Sequence, residues 1–132
     1  MLLPITLTIA AAAALVNIWL AMRIARIRIA EKISVGDGGN ESIIRRMRAQ
    51  ANFVENAPFV LILIGAIELS GRAGWWLWLV GLVFILGRIA HGFGMDGGTL
   101  AKGRTVGTII TMPTQLGLAL YAIYITSVMP TA

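Results

Sequence analysis

Arg45, Arg48, Asn52 and Glu55 follow one another at spacings of three, four and three residues. On a helix that spacing puts all four within about 80° of one another. Guanidiniums, an amide and a carboxylate on one strip could hold a ligand that bears both negative and positive groups. Arg88 and His91 lie three apart and share a helical face. Arg104, Thr108, Thr111 and Gln115 would span about 60° on a third helix. These groups bind anions and donate hydrogen bonds; they are not a metal set. The chain has no cysteine, which excludes a disulfide framework, a thiolate zinc site and a cysteine nucleophile. One histidine and six scattered acids argue against a conventional metal site as well.

The elements that must position these groups follow from composition. Of 132 residues, 58% are hydrophobic and 13% charged, and the mean hydropathy is +0.82. A soluble domain carries about 25% charged residues, so this chain cannot cover an aqueous surface. Uncharged stretches occupy 1–22, 56–67, 73–87 and 105–132, and two of them reach the roughly 20 residues a membrane-spanning helix needs. The protein is therefore expected to be integral to a membrane. Its net charge of +5 does not point to nucleic acid, which would need a basic face on a soluble fold. The basic residues cluster instead at the ends of apolar segments.

The sequence predicts four helices, over about 3–29, 41–69, 75–94 and 100–128, in a single transmembrane domain over 1–132. The first is read as retained, because its apolar run starts at residue 2 with no basic stretch before it. Ser34-Val35-Gly36-Asp37-Gly38-Gly39-Asn40 is loop chemistry, and Asn40 can cap the helix that begins at Glu41. Pro58 and Pro113 lie inside apolar runs and predict kinks of a kind that membrane helices accept. Trp75, Trp76 and Trp78 follow the turn at Gly71 and mark a membrane–water boundary. Short connections predict an all-α up-down bundle in which sequential helices are antiparallel neighbours. The first and third loops gather Arg23, Arg26, Arg28, Lys32, Arg45, Arg46, Arg48, Arg88, Lys102 and Arg104 on one side, against Arg72 alone on the other. By the positive-inside rule those loops face the cytoplasm and both termini lie outside, as for a protein of the bacterial inner membrane.

Plainer readings compete with a functional one. Arg45 and Arg46 could sit among headgroups, and Glu55 could pair with Arg48 or Arg88 as a structural ion pair. His91 could be a packing residue, and Thr108 and Thr111 could bond their own helix backbone. Asp37-Gly38-Gly39 and Asp96-Gly97-Gly98 read as turns, not phosphate loops, because no Gly-Lys-Ser/Thr follows them.

The stretch Arg48-Ala49-Gln50-Ala51-Asn52-Phe53-Val54-Glu55-Asn56-Ala57-Pro58 resembles the helix 2 signature R-A-x-x-N-x-x-E of the MAPEG family, the membrane-associated proteins in eicosanoid and glutathione metabolism. Gly87-Arg88-Ile89-Ala90-His91 resembles the helix 3 segment of its prostaglandin E synthase branch. Arg104 follows His91 at that branch's spacing, and Arg26-Ile27-Arg28 resembles the basic end of the family's first helix. The resemblance covers nearly the whole chain and suggests a bacterial-type member. It implies a homotrimer of four-helix subunits in lipid, binding glutathione between subunits near the cytosolic side. By motif position Arg48, Asn52 and Glu55 hold the peptide, with Glu55 taking the ammonium. Arg26, Arg88 and His91 match further pocket positions, and Arg104 matches the arginine that stabilises the thiolate. A nearby cation lowers a thiol pKa and raises its nucleophilic fraction.

The implied function is a glutathione transferase or peroxidase that turns the thiolate on lipophilic small molecules arriving from the bilayer. The alternative is a non-catalytic lipid- or ligand-binding protein on the same trimer. Where the family tends to place tyrosines, this chain has Asn56, Met95 and Thr108, which favours the binder; the retained arginines favour the enzyme. A small four-helix multidrug exporter would carry an acid in its first helix, and residues 1–22 contain none.

Overall fold

The computed structural model describes residues 1–129, and every regular element among them is helical. Helix α1 spans Pro4–Glu31, α2 Glu41–Leu69, α3 Trp75–Gly94 and α4 Lys102–Val128, with a single 3-10 turn, Gly98–Leu100, leading into α4. All four are long and apolar enough to cross a membrane. Helices α2 and α4 continue through Pro58 and Pro113.

The local chemistry explains the ends. Pro4 opens α1, where its missing N–H costs nothing and its φ is already helical. The α1–α2 loop turns on Gly36, Gly38 and Gly39, all at positive φ. The Asp37 carboxylate accepts the Gly39 N–H at 2.8 Å, and the Asn40 side chain accepts the Ile43 N–H at 3.1 Å, so the expected cap forms. The α1 terminus lies two residues beyond the expected one. There Lys32 takes a left-handed conformation, and Ile33 N–H bonds Arg28 O at 2.9 Å, which closes the last turn in a Schellman arrangement.

Helices α1 and α2 form one antiparallel hairpin, and α3 and α4 form another. The hairpins meet chiefly through α1 on α3 and α2 on α4, so the order around the bundle is α1, α2, α4, α3. Direction still alternates along the chain as short connections require, but α2 and α3 touch more lightly than the α1–α3 and α2–α4 pairs. The core is a stack of Ile5, Ile9, Ala13, Val16 and Leu20 from α1 against Phe53, Ala57, Val60 and Ile64 from α2, closed by Leu77 and Phe84 from α3.

Glycine sets how closely α3 and α4 approach. A Cβ at Gly94 would collide with the Arg104 backbone, one at Gly103 with the Ala90 carbonyl, and one at Gly107 with His91 and the Gly87 carbonyl. In lipid, small residues of this kind replace the hydrophobic effect as the means of helix association.

Two acids, Asp96 (read from sequence only as a turn residue) and Glu68 (given no role), organise the two ends. At the end bearing the basic loops, Asp96 pairs with Arg23 and with Arg46 at 3.2 Å, tying α1, α2 and the end of α3 together. Arg23 is buried, donates to Gly92 O at 2.7 Å, and lies over the rings of Trp19 and Phe93 at 4.8 and 5.2 Å. At the opposite end the Glu68 carboxylate accepts the Ile5 N–H at 2.9 Å, the Thr6 N–H at 2.8 Å and the Thr6 hydroxyl at 2.7 Å. It caps α1 from the last turn of α2. Also at this end, Trp75 and Trp78 are exposed as an interfacial belt requires, while Trp76 packs edge-on against Tyr121 at 5.1 Å.

Candidate functional site

A cleft of about 380 Å³ opens among α2, α3 and α4 towards the basic end. Its walls are Arg48 and Asn52 from α2, His91 and Met95 at the end of α3, and Arg104, Thr105, Thr108 and Ile109 from α4. Such a volume suits a small ligand. The glycine contact between α3 and α4 is what brings Arg104 beside His91, since Gly94 sits against the Arg104 backbone and Gly107 against His91.

Beneath the cleft lies Arg88, 2% exposed. Its Nη1 donates to Thr111 Oγ1 at 2.9 Å. Its Nη2 donates to Asn52 Oδ1 at 2.6 Å and lies 3.3 Å from His91 Nδ1. The remaining nitrogen, Nε, has no partner in the protein. One buried guanidinium thus binds a side chain from each of the three helices that wall the cleft.

The residues singled out from sequence fall into three places. Arg48, Asn52, His91 and Arg104 line the cleft together. Arg88 reaches it only through Asn52 and His91. Glu55 and Arg26 are exposed on faces outside it within one chain. Glu55 forms no ion pair among the described residues, so the Glu55–Arg48 or Glu55–Arg88 bridge weighed above is absent from the subunit. Arg45 bonds Glu41 one turn back at 2.9 Å, and Gln115 donates to Asn56 O at 3.4 Å. Thr108 donates to its own helix backbone, at Arg104 O, whereas Thr111 turns inward to Arg88. Met95, Thr105 and Ile109 complete the cleft. Met95 stands at a position where the resemblance puts a pocket tyrosine, whereas sequence reasoning did not assign Thr105 and Ile109 to the site; Thr105 adjoins Arg104 and could have been found from it.

The electrostatic balance is one-sided. Arg48, Arg88 and Arg104 take part in no salt bridge among the described residues, where all three ion pairs involve Arg23, Arg45 or Arg46. Of the three only Arg88 is buried, and a buried guanidinium without a counter-charge is expensive; Arg48 and Arg104 are exposed at the cleft.

The MAPEG family model matches residues 6–124, and the chain belongs to that family. It is also similar to the inner membrane protein YecN of Escherichia coli K12 and of Escherichia coli O6:H1, at 30% identity over 71 residues in each case. Those matches cover 54% of this chain and 54% of each relative, so the aligned region spans about half the length of the curated relatives. Family, helix count and hydropathy together define an integral membrane protein of the MAPEG type.

Proposed function

We propose that this protein is a glutathione-dependent membrane enzyme, a transferase or peroxidase that activates the thiolate of bound glutathione against lipophilic electrophiles. One observation carries the reading: a cleft walled by Arg48, Asn52, His91 and Arg104, with Arg88 under its floor, and no acid to balance them. Glutathione offers two carboxylates and a thiolate to such a surface, and charge-assisted bonds to them are the strong kind. In this reading Arg48 and Asn52 hold the peptide, and Arg104 faces the sulfur and stabilises its negative charge. Glu55, exposed and unpaired on α2, takes the glutathione ammonium where a neighbouring subunit completes the site, and Arg26 reaches a site in the same way.

That assembly is a homotrimer of the inner membrane, with the basic loops in the cytoplasm. The test is calorimetry with glutathione on the purified protein, together with ultraviolet absorbance for the thiolate. Binding at millimolar glutathione or below, accompanied by a thiolate band, is the expected result. Absence of both removes the enzyme reading. A non-catalytic ligand-binding role would then lead, a reading favoured by the Thr108 hydroxyl, which is turned to its own backbone at 3.0 Å.

A further inference from the structure

Arg88 fixes more than its own place. A guanidinium has N–H donors and no acceptor, so any polar atom within bonding distance of it must accept. Asn52 Oδ1, at 2.6 Å, is therefore occupied by Arg88, and the amide NH₂ of Asn52 is the end left for the cleft that it lines. The same rule requires an unprotonated Nδ1 on His91, at 3.3 Å from Arg88. A neutral ring then carries its proton on Nε2. That nitrogen bonds no protein group and is not sealed from the cleft, since the one orphaned buried side-chain atom among the described residues is Arg88 Nε. Turned over, the ring would present a C–H instead of Nδ1 to Arg88, whose own place is fixed by a fully buried Thr111.

We propose that Arg88 is a positioning residue that makes the polar wall of the cleft a surface of hydrogen-bond donors. Asn52 Nδ2–H and His91 Nε2–H are set by Arg88, and the guanidiniums of Arg48 and Arg104 supply the rest. The occupant is an anionic, acceptor-rich head, and a ligand rich in N–H groups is rejected because each would meet another donor. His91 acts as a donor to the ligand and takes no proton from it. Around that ring stand Arg88 on α3, Arg48 on α2 and Arg104 on α4, and no carboxylate lines the cleft. The inference deepens the glutathione reading, which supplies such a head, but the tautomer belongs to the ligand-free protein and stands or falls separately.

The chain has one histidine, so protein labelled with nitrogen-15 in the imidazole ring gives a single pair of ring nitrogens by magnetic resonance. In wild type without ligand at neutral pH, the expected ring is neutral and protonated on Nε2. An imidazolium, or a ring protonated on Nδ1, overturns the proposal. Arg88→Gln, whose amide can accept as well as donate, should admit the Nδ1–H tautomer, and an unchanged spectrum there removes the role given to Arg88. Arg88→Lys presents donors only and should retain Nε2–H. Mixing in the Lys variant as well would mean that the tautomer reports general loosening, and would overturn the assignment.

Discussion

At the scale of single residues, the proposed function assigns binding and action on the reacting atom to different groups of the cleft. Arg104 stands in the first turn of α4, on a different helix from Arg48 and Asn52. If it stabilises the thiolate, Arg104→Ala should lower turnover by on the order of 10²-fold, as removal of one electrostatic stabiliser does elsewhere, with glutathione affinity much less changed. Glu55→Gln should do the reverse, raising the glutathione Kd while the remaining turnover is less affected. Steady-state kinetics paired with calorimetry on both variants separates the two. Equal losses of affinity in both would contradict the division of roles. The candidate residues were legible as polar groups at helical spacing inside apolar runs. Their division between wall, floor and outer face was not, because it depends on how far each helix is rotated in the bundle. Arg88 is three residues from His91 and shares its face, yet it is buried against Thr111 while His91 reaches the cleft.

At the scale of helices, the close crossing of α3 and α4 determines whether the cleft exists. Gly107→Ala would set a methyl group against His91 and the Gly87 carbonyl, whereas Gly117, ten residues further along α4, has nothing within 4 Å of the added carbon. Overpacking of this kind typically costs about 1–3 kcal/mol. Gly107→Ala should lower the thermal midpoint in detergent and separate Arg104 from His91, while Gly117→Ala should match or exceed wild type through better helix propensity. A Gly107→Ala protein as stable as wild type would show that the two helices need not approach this closely. The four helices themselves were readable, because charge-free runs of membrane length and turn residues between them leave little choice. Their order around the bundle was not. Short connections predict that consecutive helices are antiparallel neighbours, yet α2 packs more on α4 than on α3. Asp96 and Glu68 were illegible for a related reason: their partners lie 73 and 63 residues away, and neither leaves a local pattern.

At the scale of the whole molecule, the distribution of charge makes two expectations. Ten basic residues gather towards one end and Arg72 stands alone at the other, so single cysteines placed at Asp37 and at Gly71 should be labelled from opposite sides of the membrane. Labelling of both from one side would break the four-span arrangement. The second expectation concerns what covers Glu55. A carboxylate exposed along a membrane helix is not left facing lipid, and α4 presents Ile109, Met112, Leu116 and Ile123 as a further unburied apolar face. Mass in mild detergent should be near three times 14.1 kDa, and a stable monomer would contradict the proposed trimer.

Glu68 bears on how such a chain is made. The first turn of α1 begins at Pro4 and carries open N–H groups that need acceptors wherever water is scarce. The acceptor that satisfies Ile5 and Thr6 is synthesised 63 residues after Ile5, in the last turn of α2. Until the ribosome has passed that point, α1 is an unfinished span, best left at the interface where water can serve its exposed end. Once α2 follows, the carboxylate that would be a burden to a lone helix meets the positive end of its neighbour, and each removes the other's penalty. The α1–α2 hairpin thus carries its own acceptor for those N–H groups, which α1 alone lacks. A nascent chain truncated just before residue 68 should remain extractable from membranes under conditions in which one ending after α2 does not.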